Sequence, residues 1–373
     1  MNLKCKTKIE NFLTKNNLVD NYNILELLEE QNLENIINKL ETFPQDELTN
    51  FALECVCEEL LITASYKIER TGMKLGLHRM EHVLALFNNP EHDLKVIHVA
   101  GTNGKGSTCS YIKDVLKTKY RVGLYSSPGM LSFNDRIRIN DDFIPYKEAY
   151  RLYKEVVKVY DANNPDSSDK LSFFEIITTV ALLYFREQKT DFVIMEVGLG
   201  GRYDGTNIFK EKLLSIITKI GLDHTAILGY SLEKIAYEKA GIIQENDNVL
   251  IYPADNNVVD VISNICKEQN ANFSILDENN IEIKDIGARG NKFSFRNIDY
   301  TTKMVGQHQI YNACLALAAI FSLRSRGIID IDDKTINSTL AASTWAGRLE
   351  WIRPNILLDG AHNNDGMLTT SQN

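Results

Sequence analysis

The chain has 373 residues, 44% hydrophobic and 24% charged, the balance of an ordinary globular protein with room for roughly two or three domains. Its formal net charge of −9 argues against broad electrostatic binding to nucleic acid, though not against a local basic funnel for an anionic substrate. The six cysteines (Cys5, Cys55, Cys57, Cys109, Cys266 and Cys314) make no C-x-x-C pair and no zinc spacing, so a reducing cytosol is expected. The polar N-terminus has no signal-peptide core, and the longest apolar stretch, Ile310 to Leu323, is too short and interrupted to span a membrane.

Residues 1 to about 70 read as helices. Ile24, Leu25, Leu27 and Leu28, then Leu33, Ile36, Ile37 and Leu40, recur at helical spacing, and a further helix is expected over Leu48–Ala64. This region reads as a helical bundle or docking arm to which no chemistry is assigned. Thr71 to Arg79, T-G-M-K-L-G-L-H-R, is a glycine-bearing loop with cations, followed by a short helix, Met80–Phe87.

The stretch Val96 to Thr108, V-I-H-V-A-G-T-N-G-K-G-S-T, is the centre around which the rest of the chain is organised. A β-branched run ends in a turn with Gly101, Gly104 and Gly106, and a helix is expected from Ser107 to Leu116. Strand, glycine turn and helix make a phosphate cradle: backbone N–H groups close on the anion and the helix N-terminus adds its positive end. Lys105 would reach the outer phosphates. Gly106 stands where the ordinary pattern has a hydroxyl, so Ser107 is the better Mg²⁺ candidate. A plain strand-to-helix turn would explain the glycines but not the lysine.

Arg121–Tyr125 completes a β-α-β unit, ending in S-S-P-G-M-L. Helices are expected over Tyr146–Tyr160 and Phe173–Glu187, separated by a polar surface loop, and parallel strands over Phe192–Val197, Ser215–Ile220 and Val249–Tyr252. Three short runs, Ile281–Ile286, Lys292–Phe295 and Tyr300–Met304, suggest an antiparallel appendix. After them come a long helix (Gln309–Arg324), a hinge (Leu340–Arg348) and one last strand, Ile356–Leu358, with no evident partner.

Candidate groups gather at strand ends, where open α/β sheets bind ligands. Glu196 ends an apolar strand; its bland reading is a salt bridge to Arg202. Asp223 and His224 follow the next strand, and Lys239 closes a helix, where a lysine commonly complements the dipole.

With these residues in view, the sequence resembles folylpolyglutamate synthase and dihydrofolate synthase, the folate-specific members of the Mur ligase superfamily. The resemblance rests on I-H-V-A-G-T-N-G-K-G-S-T, S-S-P with F-N-D-R-I-R-I-N, F-F-E, E-V-G-L-G-G-R-Y-D-G-T-N, G-L-D-H-T, E-K-A-G-I-I, G-x-H-Q-x-x-N-A and G-R-L-E. It covers roughly Ala64 to Asp365. It implies an α/β fold: a P-loop-containing, mostly parallel sheet flanked by helices, with a helical N-terminal extension (1–63), an ATP-binding domain (64–342) and a hinge with the start of a C-terminal α/β domain (343–373). It also implies ATP-dependent joining of L-glutamate to a folate or dihydropteroate carboxylate through an acyl phosphate.

Residue by residue, the resemblance places nucleotide at Gly101, Thr102, Asn103, Gly104, Lys105, Gly106, Ser107, Thr108, Asn312, Arg348 and Asp359. Two Mg²⁺ sites would use Ser107, Ser127 and Glu196, then His224 and a carbamylated Lys239, so that Lys105, Glu196, His224 and Lys239 carry the catalysis. Gly76, Leu77, His78 and Arg79, then Ser172, Phe173, Phe174 and Glu175, then Tyr203, Asp204 and Gly205, would hold the pterin-bearing substrate. Gly129 and Ala346 depart from the family's S-P-H-L and W-P-G-R. Only the beginning of the family's C-terminal domain is in the sequence, which predicts nucleotide binding with little ligation. A cytosolic monomer with small-molecule partners is expected. The competing reading is a nucleotide- and folate-binding protein without turnover.

Overall fold

The computed structural model describes residues 3–20, 23–30, 32–69, 76–164 and 168–371. In chain order these form α1 (Leu3–Asn16), α2 (Ile24–Leu27), α3 (Leu33–Leu40), α4 (Glu47–Glu69), α5 (His78–Leu86), β1 (Val96–Ala100), α6 (Lys105–Leu116), β2 (Val122–Tyr125), β3 (Ile137–Ile139), β4 (Asp142–Phe143), α7 (Tyr146–Asn163) and α8 (Phe173–Glu187). Next come β5 (Phe192–Glu196), β6 (Leu214–Ile217), α9 (Thr225–Leu228), α10 (Leu232–Lys239), β7 (Asn248–Ile251), α11 (Asn256–Glu268) and β8 (Asn272–Ile275). The chain continues through β9 (Ile281–Gly287), β10 (Gly290–Phe295), β11 (Ile298–Thr302), α12 (Gln307–Ser325), α13 (Asp333–Ala342), β12 (Glu350–Arg353), β13 (Ile356–Leu358) and α14 (Asn364–Ser371). Residues 71–75 of the expected glycine-bearing loop and 165–167 of the expected surface loop lie outside the described residues.

The chain forms two compact units, one of residues 1–74 and 143–183, the other of 75–142 and 184–373. In the first, α1 lies along α4 through a stacked pair, Phe12 on Phe51, with ring centroids 4.1 Å apart. The Glu54 carboxylate of α4 accepts the backbone N–H groups of Tyr146 and Lys147 at 2.6 and 3.2 Å, satisfying orphan donors at the start of α7.

The second unit is built on an eight-stranded sheet of order β4-β3-β2-β5-β1-β6-β7-β8. From β2 to β8 the strands pair in parallel, while β3 runs antiparallel to β2. β1 lies between β5 and β6, with Val99 beside Glu196 and Ala100 beside Ile217. Every residue of β1 and β5 is buried, as mostly apolar parallel strands covered on both faces should be. α6 and α12 close one face over a core including Ile97, Val99, Ile112, Ile194, Leu315 and Ile320.

The expected appendix is present as the antiparallel sheet β11-β10-β9. Two expectations are corrected. α6 begins at Lys105, two residues early, because Gly104 adopts φ 90° and turns the chain directly into the helix. Ile356–Leu358 is not without a partner: it pairs with β12 as a hairpin, yet its apolar side chains remain 40–46% exposed. Among the described residues no helix is long and apolar enough to cross a membrane.

Candidate active site

The loop after β1 needs glycine at two positions. Gly101 has φ 146°, and a Cβ there would lie 1.8 Å from Thr218 Oγ1. Gly104 has φ 90°, and a Cβ would lie 2.4 Å from Asn312 Oδ1. The loop is clasped to the end of β6: Thr102 N donates to Lys219 O at 2.9 Å, and the Thr102 hydroxyl bridges Gly221 N and O, both at 3.0 Å. Lys105 Nζ folds back to Thr102 O at 3.3 Å. Ser107 is buried in the first turn of α6 and accepts from Gln309 Nε2 at 3.2 Å; Gln309 Oε1 in turn accepts from Asn312. The α6 N-terminus thus presents free backbone donors and a cation to one space, the arrangement that binds phosphate.

Glu196 is buried at the end of β5. Burial pushes its pKa up, against the pull of Lys105, Arg348 and the Ser127 backbone N–H. Arg202, the kind of salt-bridge partner that the bland reading offered, lies instead 4.1 Å over the Tyr237 ring and donates to Tyr237 O at 3.2 Å. Lys239 is 4% exposed, and its Nζ reaches Gly101 O at 2.8 Å. Burial and then Lys105 push its pKa down to about 7, against Asp223 and Asp204. It is a desolvated amine aimed at the phosphate loop, not a surface charge on a helix end. His224 takes φ 48° at the start of α9, with Nε2 3.8 Å from Asp223 Oδ2. Asp223 also accepts Asn363 Nδ2 at 2.9 Å.

These groups line one cavity of about 180 Å³, shared by Gly101–Ser107, Ser127, Glu196, His224, Lys239, Asn312, Arg348 and Asp359. Thr108, one residue deeper, is fully buried. Asp359 accepts Leu349 N and Ala361 N at 2.9 and 2.8 Å, so its carboxylate also shapes the hinge. Among the described residues no three His, Cys, Asp or Glu side chains cluster as a metal site. A cation here would rest on Glu196 with the Ser107 and Ser127 hydroxyls, a hard oxygen set that fits Mg²⁺. Lys239 as an amine donates and cannot serve as an oxygen ligand; only its carbamate would fit a second cation.

The expected substrate residues are not among the groups that line this cavity. Ser172–Glu175 belong to the first unit and form a reciprocal cap on α8: Ser172 N donates to Glu175 Oε2 at 2.7 Å and Glu175 N to Ser172 Oγ at 3.2 Å. Gly76 and Leu77 lead into α5, which begins with His78 and Arg79, His78 Nε2 lying 3.3 Å from Arg79 Nη1. Tyr203 is half exposed, while Asp204 is buried. The cavity also uses residues that sequence reasoning missed. His308 and Gln309 lie inside the quoted G-x-H-Q signature; burial holds the His308 imidazole down to about 4. Asp365, which bonds Lys219 at 2.6 Å and Asn103 at 2.7 Å, had no local signal.

Residues 99–320 match the Mur ligase middle domain. The dihydrofolate synthase/folylpolyglutamate synthase of Bacillus subtilis is 39% identical over 306 residues, spanning 79% of this chain and 71% of that protein. The chain belongs to the dihydrofolate synthase/folylpolyglutamate synthase family. The dihydrofolate synthetase of Saccharomyces cerevisiae is 34% identical over 78% of this chain and 70% of its own length. The folylpolyglutamate synthase structure from Thermotoga maritima superposes with a TM-score of 0.74 at 29% identity, covering 84% of this chain and 74% of that one. A folylpolyglutamate synthase complex with AMPPCP and folate gives 0.76 at 28% identity, covering 84% and 79%. Within this family Gly129 has a local reason: a Cβ there would lie 2.6 Å from Asp135 Oδ1 and 2.7 Å from Ser132 O. Asp135 binds Met130 N and Leu131 N at 2.8 and 2.6 Å, drawing the loop too tight for a side chain.

Proposed function

We propose that this ligase-family chain uses ATP to join L-glutamate to the carboxylate of a folate or dihydropteroate. The observation that carries the reading is the meeting of Lys105, buried Glu196 and near-neutral Lys239 at one glycine-lined cavity. A carboxylate does not acylate an amine in neutral water. Transfer of the γ-phosphoryl group makes it an acyl phosphate; the glutamate amine then attacks and phosphate leaves. The loop N–H groups and Lys105 hold the phosphates, and Asn312, Arg348 and Asp359 hold the nucleotide. Glu196, Ser107 and Ser127 would hold Mg²⁺, which neutralises phosphate charge when bound.

Lys239, half unprotonated near neutral pH, would attack CO₂ through its free amine and lose a proton. The resulting carbamate, with His224, would supply oxygen and nitrogen ligands to a second cation. Gly76–Arg79 and Tyr203–Gly205, both of the second unit, are assigned to the pterin-bearing substrate. The functional division runs 1–63, 64–342 and 343–373, and the chain works as a cytoplasmic monomer on small molecules.

The test is ADP release by the purified chain with Mg·ATP, glutamate and either dihydropteroate or a reduced folate. Slow release requiring all three, with a glutamylated product by mass, is expected. Nucleotide and folate binding without release would favour the binding-protein reading.

A further inference from the structure

Three residues before the phosphate loop, β1 carries a histidine that this chemistry leaves unused. His98 is fully buried, and its Nδ1 has no hydrogen-bond partner. Its Nε2 lies 2.9 Å from Thr206 Oγ1. Thr206 reaches on to Asp204 Oδ1, through its hydroxyl at 2.5 Å and its backbone N–H at 3.0 Å. Asp204 Oδ2 accepts Leu199 N at 2.8 Å.

The protons of this chain of bonds can be assigned by counting donors. Asp204 accepts a backbone N–H on each oxygen, so it is the terminal acceptor. Thr206 has one hydroxyl proton and gives it to Asp204, leaving only lone pairs toward His98. The imidazole must therefore donate through Nε2–H, with Nδ1 unprotonated. Full burial keeps the ring neutral, with Lys212 adding to the effect. The Phe209 ring meets it edge-on at 6.0 Å. An unmatched buried nitrogen costs stability, and the bond made by Nε2 is what offsets that cost.

That bond ties two walls of the site together. Gly198, Leu199 and Gly200 line the phosphate cavity. Tyr203–Gly205, on the same loop, stand where the ligase reading puts the pterin-bearing substrate. We infer that His98, Thr206 and Asp204 form a positioning relay that locks the 198–206 loop to β1 and sets the spacing between phosphate cradle and acceptor. The relay rests on the ligase reading for the identity of the acceptor and on the hydrogen bonds for its existence.

The full chain, labelled with ¹⁵N-histidine, tests it by NMR, the His98 signal being assigned by its loss in His98→Gln. A neutral Nε2–H ring is expected, with a shift that changes in Thr206→Val. In hydrogen exchange, Thr206→Val should speed exchange of the Leu199 amide about tenfold while leaving β1 protected. In ADP-release assays it should raise KM for the pteroyl acceptor about tenfold and move kcat much less; Thr206→Ser, which keeps the hydroxyl, should recover most of that loss. An Nδ1–H or doubly protonated ring would overturn the relay. So would a Thr206→Val enzyme that loses only thermal stability, with Leu199 exchange and the acceptor KM unmoved. An unaltered chain that releases no ADP would refute the ligase reading instead, and the imidazole spectrum and Leu199 exchange would still decide the relay.

Discussion

Replacing Lys239 with methionine keeps the length of the side chain and removes an amine that the fold holds down at about pKa 7 from an ordinary 10.5. In the unfolded chain this lysine stays protonated up to about pH 10.5; folded, it has given up its proton by about pH 8. Between those values the unfolded state binds more protons, so native stability rises with pH. The stabilising share is complete only above the unfolded value and is lost as pH falls through the folded one. Integrated from pH 7 to pH 9, this single group contributes about 2 kcal/mol, an order-of-magnitude figure. Lys239→Met should lack that gain and be more stable than the unaltered chain at pH 7. The measurement is urea unfolding of both proteins by circular dichroism in CO₂-free buffer at the two pH values. Parallel pH dependence in the two proteins would refute the desolvated-amine argument. A second arm adds ¹³C-bicarbonate: a carbamate resonance is expected in the unaltered chain and none in Lys239→Met, which should also lose ligation.

Glu196→Gln keeps size and burial but removes the charge that would balance a cation, so Mg·ATP-dependent turnover should fall by at least about a hundredfold with the circular dichroism spectrum retained. Gly104→Ala forces a Cβ against Asn312 at a positive φ; nucleotide affinity, read by calorimetry, should fall about tenfold or more, with a stability loss of about 1–3 kcal/mol. Amides of the β12–β13 hairpin should exchange far faster than those of β1, because two short strands with exposed apolar side chains have little to hold them. Equal protection in the two elements would show that the hairpin is buttressed.

Much of this arrangement was legible because its signals are local. α8 runs over the residues its apolar spacing predicts, and β5 and β7 end within one residue of expectation, since runs such as Phe192–Glu196 suit only a doubly covered strand. The phosphate loop declared itself through glycines that Thr218 and Asn312 indeed crowd. β3 and β8 went unread: Ile137–Ile139 has an arginine at its centre, and Asn272–Ile275 is an edge strand with mostly exposed side chains. Partnerships between distant residues were equally invisible. The choice of Lys105 and Arg348 over Arg202 as the charges near Glu196, and the contact of Asp365 with Lys219, depend on which loops meet, which no spacing reports.

The central place of β1 has a consequence for how the molecule comes into being. The phosphate loop leaves the ribosome early, but β5 and β6, which flank it, follow roughly a hundred residues later, and the Asn103–Asn363 contact joins residues 260 apart in sequence. At a synthesis rate of about 5–20 residues per second, the loop waits roughly ten to fifty seconds for that last contact. Until β5 arrives, β1, every residue of which is buried in the finished fold, lacks the strands that will flank it. Nascent chains of this protein therefore pass through a window in which an apolar strand that the finished fold covers is still open, and early sheet closure by β5 is what shortens it.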